Sequence, residues 1–175
     1  LRDVKHHERE LASARRMLQA VLDTTPMRIF WKDRDLTYLG CNKPFATDAG
    51  LASPEELVGK EDQQLPWREQ ADLYQAADRA VIESGEPKHN YEERQTGPDG
   101  EELWVKASKI PLRDEAGKIR GVLGCYEDIS ERKQAEETLR ESQEKYRALF
   151  SNAQVALFRT RIPDGKLVQI NERYA

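Results

Sequence analysis

The sequence predicts an α+β domain, a five-stranded antiparallel sheet with helices gathered on one face, held between an N-terminal and a C-terminal coiled-coil helix. Three observations predict it. The β-rich runs come in the order strand-strand, helices, strand-strand-strand, and the links between the strands are hairpin-length. Both flanks of this block repeat apolar residues at spacings of three and four, the signature of a helix that buries a narrow stripe. The chain is also polar for a compact globule, with 34% charged and 38% apolar residues, as long solvated helices on a modest core require.

The first flank covers residues 1–24. Its apolar seam runs Val4, His7, Leu11, Ala14, Leu18 and Val21, the other faces are Arg, Lys, Glu and Gln, and Thr24-Thr25-Pro26 ends it. Either a coiled coil or an amphipathic helix packed on its own domain satisfies this pattern. Residues 25–130 form the domain proper. Met27–Lys32 and Thr37–Asn42 read as a hairpin around the polar turn Asp33-Arg34-Asp35. Ser53-Pro54-Glu55-Glu56-Leu57 starts a helix with Pro at its first position. A longer helix is expected over Trp67–Ser84, with Ala71, Tyr74, Ala77, Val81 and Ile82 on its buried face and Gly85 and Pro87 at its end. Strands follow at His89–Gln95, Leu103–Leu112 and Ile119–Asp128.

The second flank, 131–149, turns sharply to Glu, Arg, Lys and Gln around the seam Ala135, Leu139, Ser142, Tyr146 and Leu149, with Ser130 expected to cap it. An internal repeat then sets in. Leu22-Asp23-Thr24-Thr25-Pro26-Met27-Arg28-Ile29-Phe30 recurs as Phe150-Ser151-Asn152-Ala153-Gln154-Val155-Ala156-Leu157-Phe158, and Cys41–Ala46 recurs as Ile170–Ala175. Residues 150–175 therefore read as the start of a second copy of the domain, cut short.

Composition excludes several function classes. A net charge of −4 with both signs spread along the chain offers no basic face for nucleic acid. No apolar run approaches the roughly 20 residues of a membrane span, so no membrane contact is expected, and a cytoplasmic setting is. Cys41 and Cys125 read as two thiols in a reducing compartment, with no disulfide or zinc pattern. There is no glycine-rich phosphate loop, no Ser/His/Asp set and no metal-ligand spacing, and Glu92 and Glu93 alternate across a strand, so no enzyme is expected.

Residues 18–130 resemble a PAS domain with its C-terminal PAC half. The motifs are Gly40-Cys41-Asn42-Lys43-Pro44-Phe45, then Ser53-Pro54-Glu55-Glu56-Leu57-Val58-Gly59-Lys60, then Pro98-Asp99-Gly100 before Leu103-Trp104-Val105, and the ending Gly121–Lys133 with Asp128-Ile129-Ser130 at its centre. The resemblance implies a pocket for a small molecule or cofactor between sheet and helices, in the sensory part of a signalling protein such as a sensor histidine kinase or a diguanylate cyclase. It also implies a C-terminal helix that passes the signal on to an output module beyond Ala175.

Strand alternation places Phe30, Gln95, Val105, Ala107, Val122, Gly124 and Tyr126 on the helix-covered face, with Phe45, Leu57, Leu65 and Leu73 as helix-side walls. The candidate ligand residues are Phe30, Asn42, Phe45, Glu61, Trp67, Gln95, Val105, Ala107 and Tyr126, and the candidate signal-coupling residues are Asp128, Ile129 and Ser130. Asp62 stands where the light-sensing members carry their flavin-reactive Cys, which excludes that photocycle and leaves non-covalent FAD, as a redox sensor, the leading cofactor. Haem is not expected, because Trp67–Ser84 contains no His and His89 reads as a solvated strand edge. Two functions stay open: a ligand- or redox-sensing input module that works as a homodimer through its flanking helices, and a ligand-free dimerisation spacer with a filled core.

Overall fold

The structure, a computed structural model, describes residues 2–97, 99–153 and 157–170, with the side chains of 2–5 left aside. It consists of two compact units, 1–130 and 131–175. The first opens with α1 (Arg2–Thr24). Then come β1 (Arg28–Asp33), β2 (Tyr38–Cys41), the short α2 (Lys43–Asp48), three 3-10 turns, α3 (Ala71–Ser84), and the long strands β3 (Lys88–Thr96), β4 (Glu102–Arg113) and β5 (Ile119–Asp128). All strand pairs are antiparallel, in the order β2-β1-β5-β4-β3, so the first hairpin joins the last strand at the centre and β3 forms one edge.

Each link has a local cause. The Asp33 carboxylate accepts from the amides of Asp35 at 2.9 Å and Thr37 at 3.0 Å, which closes the β1–β2 turn. Asn42 caps α2 by accepting from Phe45 N, with Pro44 in the first turn. Gly85, at φ 69°, ends α3 in the left-handed conformation that glycine adopts without strain. The last turn of α1 is tied to the domain, since Gln19 donates to Cys41 O and the Asp23 carboxylate accepts from Lys43 N.

Four expected features differ. The helix expected from Trp67 begins as a 3-10 turn, Arg68–Gln70, and becomes α-helical only at Ala71, and the Pro54–Leu57 segment is likewise 3-10. On α3 the inward residues are Ala71, Tyr74, Gln75, Asp78, Val81 and Ile82, so Asp78 is fully buried where Ala77 was expected, while Leu73 is 65% exposed and walls nothing.

The core lies between sheet and helices in two clusters. The larger holds Phe30, Tyr38, Phe45, Leu57, Leu65, Trp67, Val105, Ala107 and Tyr126, and the smaller holds Leu36, Val81, Ile82 and Val122. Val122, expected beside Ala107, therefore belongs to the second cluster.

In the second unit, α4 (Ser130–Asn152) is followed by the hairpin β6 (Phe158–Thr160) and β7 (Leu167–Ile170). Phe158 pairs with Ile170 there, and Phe30 pairs with Cys41 in the first hairpin, the same positions that the internal repeat aligns. Gln154–Ala156 and Asn171–Ala175 of that repeat, and Val4 of the first seam, lie outside the described residues.

Candidate functional site

On the inner sheet face the period of two aligns β1 Phe30 and Lys32, β5 Val122, Gly124 and Tyr126, β4 Val105, Ala107 and Lys109, and β3 Tyr91, Glu93 and Gln95. At Gly124 an added Cβ would lie 2.2 Å from Phe30 Cζ, so the missing side chain is what admits the Phe30 ring. Phe45 sits at the middle of the aromatic cluster, its ring centroid 5.0 Å from Phe30, 5.4 Å from Trp67, 5.7 Å from Tyr38 and 6.2 Å from Tyr126.

Between the two apolar clusters lies a buried ionic network. Lys32 donates to Asp62 at 2.5 Å and to Asp78 at 2.7 Å, and Lys109 donates to the other oxygen of Asp78 at 2.5 Å and to Tyr74 O at 3.2 Å. Tyr38 and the Trp67 indole donate to Asp62 Oδ1 at 2.7 and 3.1 Å. Two ammonium groups face two carboxylates, each with several partners, as burial of charge demands. Burial and the Asp62 charge push the Tyr38 hydroxyl well above its ordinary pKa, which keeps it a donor.

Beside this network the sheet and α3 enclose a cavity of about 40 Å³. Phe30, Phe45, Trp67, Gln95, Ala107 and Tyr126, all expected ligand residues, line it, and so do Lys32, Asp62, Tyr74, Asp78, Tyr91, Glu93 and Lys109. Three expected ligand residues do not. Val105 is wholly buried in the core. Glu61 is exposed and forms a capping box with Gln64 around a 3-10 turn. The Asn42 side chain donates to Leu22 O and Met27 O and accepts from Ile29 N and Phe45 N, leaving nothing for a ligand.

Two side chains on the edge strand stand out. The buried Tyr91 hydroxyl has no hydrogen-bond partner among the described residues, and burial, aided by the Glu93 charge, raises its pKa. Glu93, half-buried, has its carboxyl pushed upward by desolvation, against the opposing pull of Lys109 and Lys88. Cys41, buried on β2, has its thiol pushed up to about 12, chiefly by desolvation, and is a poor nucleophile.

The three residues expected to couple the signal, Asp128, Ile129 and Ser130, meet the β4 backbone at Trp104. Ile129 N donates to Trp104 O at 2.8 Å, Trp104 N donates to the Ser130 hydroxyl at 2.9 Å, and Ser130 N donates to the Asp128 carboxylate at 2.8 Å. The Ser130 hydroxyl thus accepts from a strand amide, because β5 ends at Asp128, paired with Val105, and the Trp104 amide lies one residue beyond that pairing.

Among the described residues no helix is long and apolar enough to cross a membrane, and no group of three acidic, His or Cys residues is placed to hold a metal ion. A family model described as the PAS fold matches residues 22–134. The aerobic respiration control sensor protein ArcB of Escherichia coli is 33% identical over 129 residues, 70% of this chain but 15% of ArcB. The C4-dicarboxylate transport sensor protein DctS of Rhodobacter capsulatus is 34% identical over 128 residues, 72% of this chain and 19% of DctS. The chain thus spans less than a fifth of the length of either relative. Among solved structures, VqmA bound to DPO superposes with a TM-score of 0.57 at 27% identity, covering 62% of this chain and 55% of that one. The PAS domain of Bordetella pertussis BvgS superposes at 0.53 and 22% identity, covering 76% and 98%. The matched family model, the five-stranded sheet and the sensor-protein relatives agree: this chain belongs to the PAS family and is a sensory module of signal transduction.

Proposed function

We propose that residues 25–130 are a ligand-sensing input domain, which takes a small polar molecule into the cavity between sheet and α3 and relays its presence through Asp128, Ile129 and Ser130 into α4. The observation that carries this reading is the Tyr91 hydroxyl on the cavity wall, buried and without a hydrogen-bond partner among the described residues. Such a group costs about 1–3 kcal/mol while it stays unpaired, and a ligand that bonds to it recovers that cost. The structure of VqmA bound to DPO supports a small molecule on this fold.

FAD suits the site poorly. A cavity of about 40 Å³ takes roughly three water-sized spheres, far less than a three-ring isoalloxazine needs. The ionic network of Lys32, Asp62, Asp78 and Lys109 forms part of its wall. The completeness of that network favours the second reading, a filled core in a dimerisation spacer.

Native mass spectrometry of freshly purified protein, followed by denaturation and identification of what is released, separates the two. A bound small molecule that is lost in Ala107→Val, which adds two methyl groups at the cavity wall, supports sensing. Protein of bare-chain mass in both forms supports the spacer.

The flanking helices are proposed to dimerise the module. In α1, Leu11, Leu18 and Val21 are exposed along one stripe, and in α4 Leu139, Tyr146 and Leu149 are too. Ion pairs such as Arg132–Glu136 and Arg140–Glu144 lie elsewhere on α4. Residues 150–175 are proposed as the start of a second domain of the same kind, supported by the matching hairpin register. The output module is proposed to be that of a sensor kinase, on the strength of the ArcB and DctS likeness.

A further inference from the structure

We infer that the ligand of this cavity is a small organic cation of the amine class, received between the Glu93 carboxylate, the Tyr91 hydroxyl and the aromatic walls. This rests on the ligand-sensing reading and specifies its chemistry.

The charges around the cavity decide the sign. Lys32 and Lys109 are matched by Asp62 and Asp78, and Asp48 is matched by Arg28 at 2.9 Å. Glu93 is left over on the cavity wall. Lys109 acts on it electrostatically but makes its short contacts to Asp78 and to the Tyr74 carbonyl. Lys88, the other cation that acts on it, is exposed and does not line the cavity. An anionic ligand would have to draw Lys32 or Lys109 away and strand a buried aspartate, whereas a cation meets an under-compensated carboxylate.

The walls favour the same sign. Phe45, Trp67, Tyr74, Tyr91 and Tyr126 line the space, and aromatic faces attract ammonium groups. This core already uses that attraction, since the Lys32 ammonium lies 4.5 Å from the Tyr38 ring centroid and 5.3 Å from that of Phe30. From outside, the Lys88 ammonium rests 3.8 Å from the Tyr91 ring centroid, so a tethered cation already occupies one face of a cavity-wall ring. The Tyr91 hydroxyl would serve as acceptor for an N–H of the ligand. The volume of about 40 Å³ limits the ligand to a few heavy atoms.

Three probes of nearly equal size and different charge, each small enough for this volume, test this at neutral pH: methylamine, methanol and formate, titrated into the whole chain by calorimetry. Methylamine is expected to bind at least about tenfold more tightly than either of the others. Glu93→Gln, with its unliganded melting temperature recorded as proof of folding, should abolish that preference. Equal or tighter binding of formate or methanol overturns the inference while leaving the domain a ligand binder. Persistence of the amine preference in Glu93→Gln overturns it too. Binding of none of the three also overturns it, and the ligand-sensing reading then stands or falls on the native mass spectrum alone.

Discussion

Asp78 reaches both buried lysines, one through each carboxylate oxygen, so Asp78→Asn leaves Lys32 and Lys109 with only Asp62 between them. Breaking a buried ion pair from one side costs roughly 3–5 kcal/mol, and urea denaturation at neutral pH should show a loss of that size. A loss below about 1 kcal/mol would mean the network is not formed in solution. Glu93 gives a pH dependence. Its carboxyl is easier to protonate in the folded chain than in the unfolded one, so the folded state binds more protons from about pH 4.3 upward through the raised value. The stability contributed by this group is present below that window and lost as pH rises through it, and Glu93→Gln removes the loss. Melting temperatures at about pH 4 and about pH 7 should diverge, with the variant gaining on the parent at the higher pH; equal gaps at both would contradict the assignment. The ionic network was written in the sequence but hard to read there. Period two puts Lys32 on the face of Phe30 and Lys109 on that of Ala107, and Asp78 lies four residues from both Tyr74 and Ile82. A charge on an inward position ordinarily contradicts burial, and only the meeting of strands far apart in sequence supplies the partners that reverse that rule.

At the scale of elements, the strands were legible to within about a residue, because alternation and turn residues are local causes. The start of α3 was not. The Glu61–Gln64 capping box and the two 3-10 turns tighten the chain between Gly59 and Ala71, and nothing in helical periodicity distinguishes a 3-10 start from an α-helical one. The same limit applies to Asn42 and Ser130, whose residue types announced hydrogen bonding without naming the partner. Asn42 joins the end of α1, the start of β1 and the first turn of α2 through four hydrogen bonds. Asn42→Ala removes a cap and leaves buried backbone groups unpaired, a loss of about 2–4 kcal/mol that chemical denaturation would register. Ser130 links the β4 backbone to the first residue of α4, so Ser130→Ala should cost only about 0.5–1.5 kcal/mol while freeing the helix start from the sheet. Hydrogen exchange at Trp104 N is the direct readout, and unchanged protection there would remove Ser130 from the coupling path.

For the whole molecule, the unresolved balance is between apolar surface and solubility. Leu11 is 74% and Leu149 75% exposed, and each belongs to a stripe whose neighbours three and four residues away are exposed as well. Scattered exposed leucines need no explanation, but stripes at heptad spacing on two helices, one before and one after the domain in sequence, do. In the proposed homodimer a second copy would cover each seam with its own counterpart. Two helices that pack in register can also adopt two nearly equal packings, which is what a ligand of modest differential affinity needs in order to signal. The chain is therefore expected to sediment as a dimer at micromolar concentration. Leu11→Asp and Leu139→Asp place a charge in the respective seams and should each raise the dissociation constant by at least about tenfold, with the melting of the sheet domain little changed. A monomeric parent would remove the coiled-coil assignment. A dimer indifferent to both substitutions would move association to another surface, and the signal would then have to leave the domain by a route other than the pairing of α1 and α4 with their own copies.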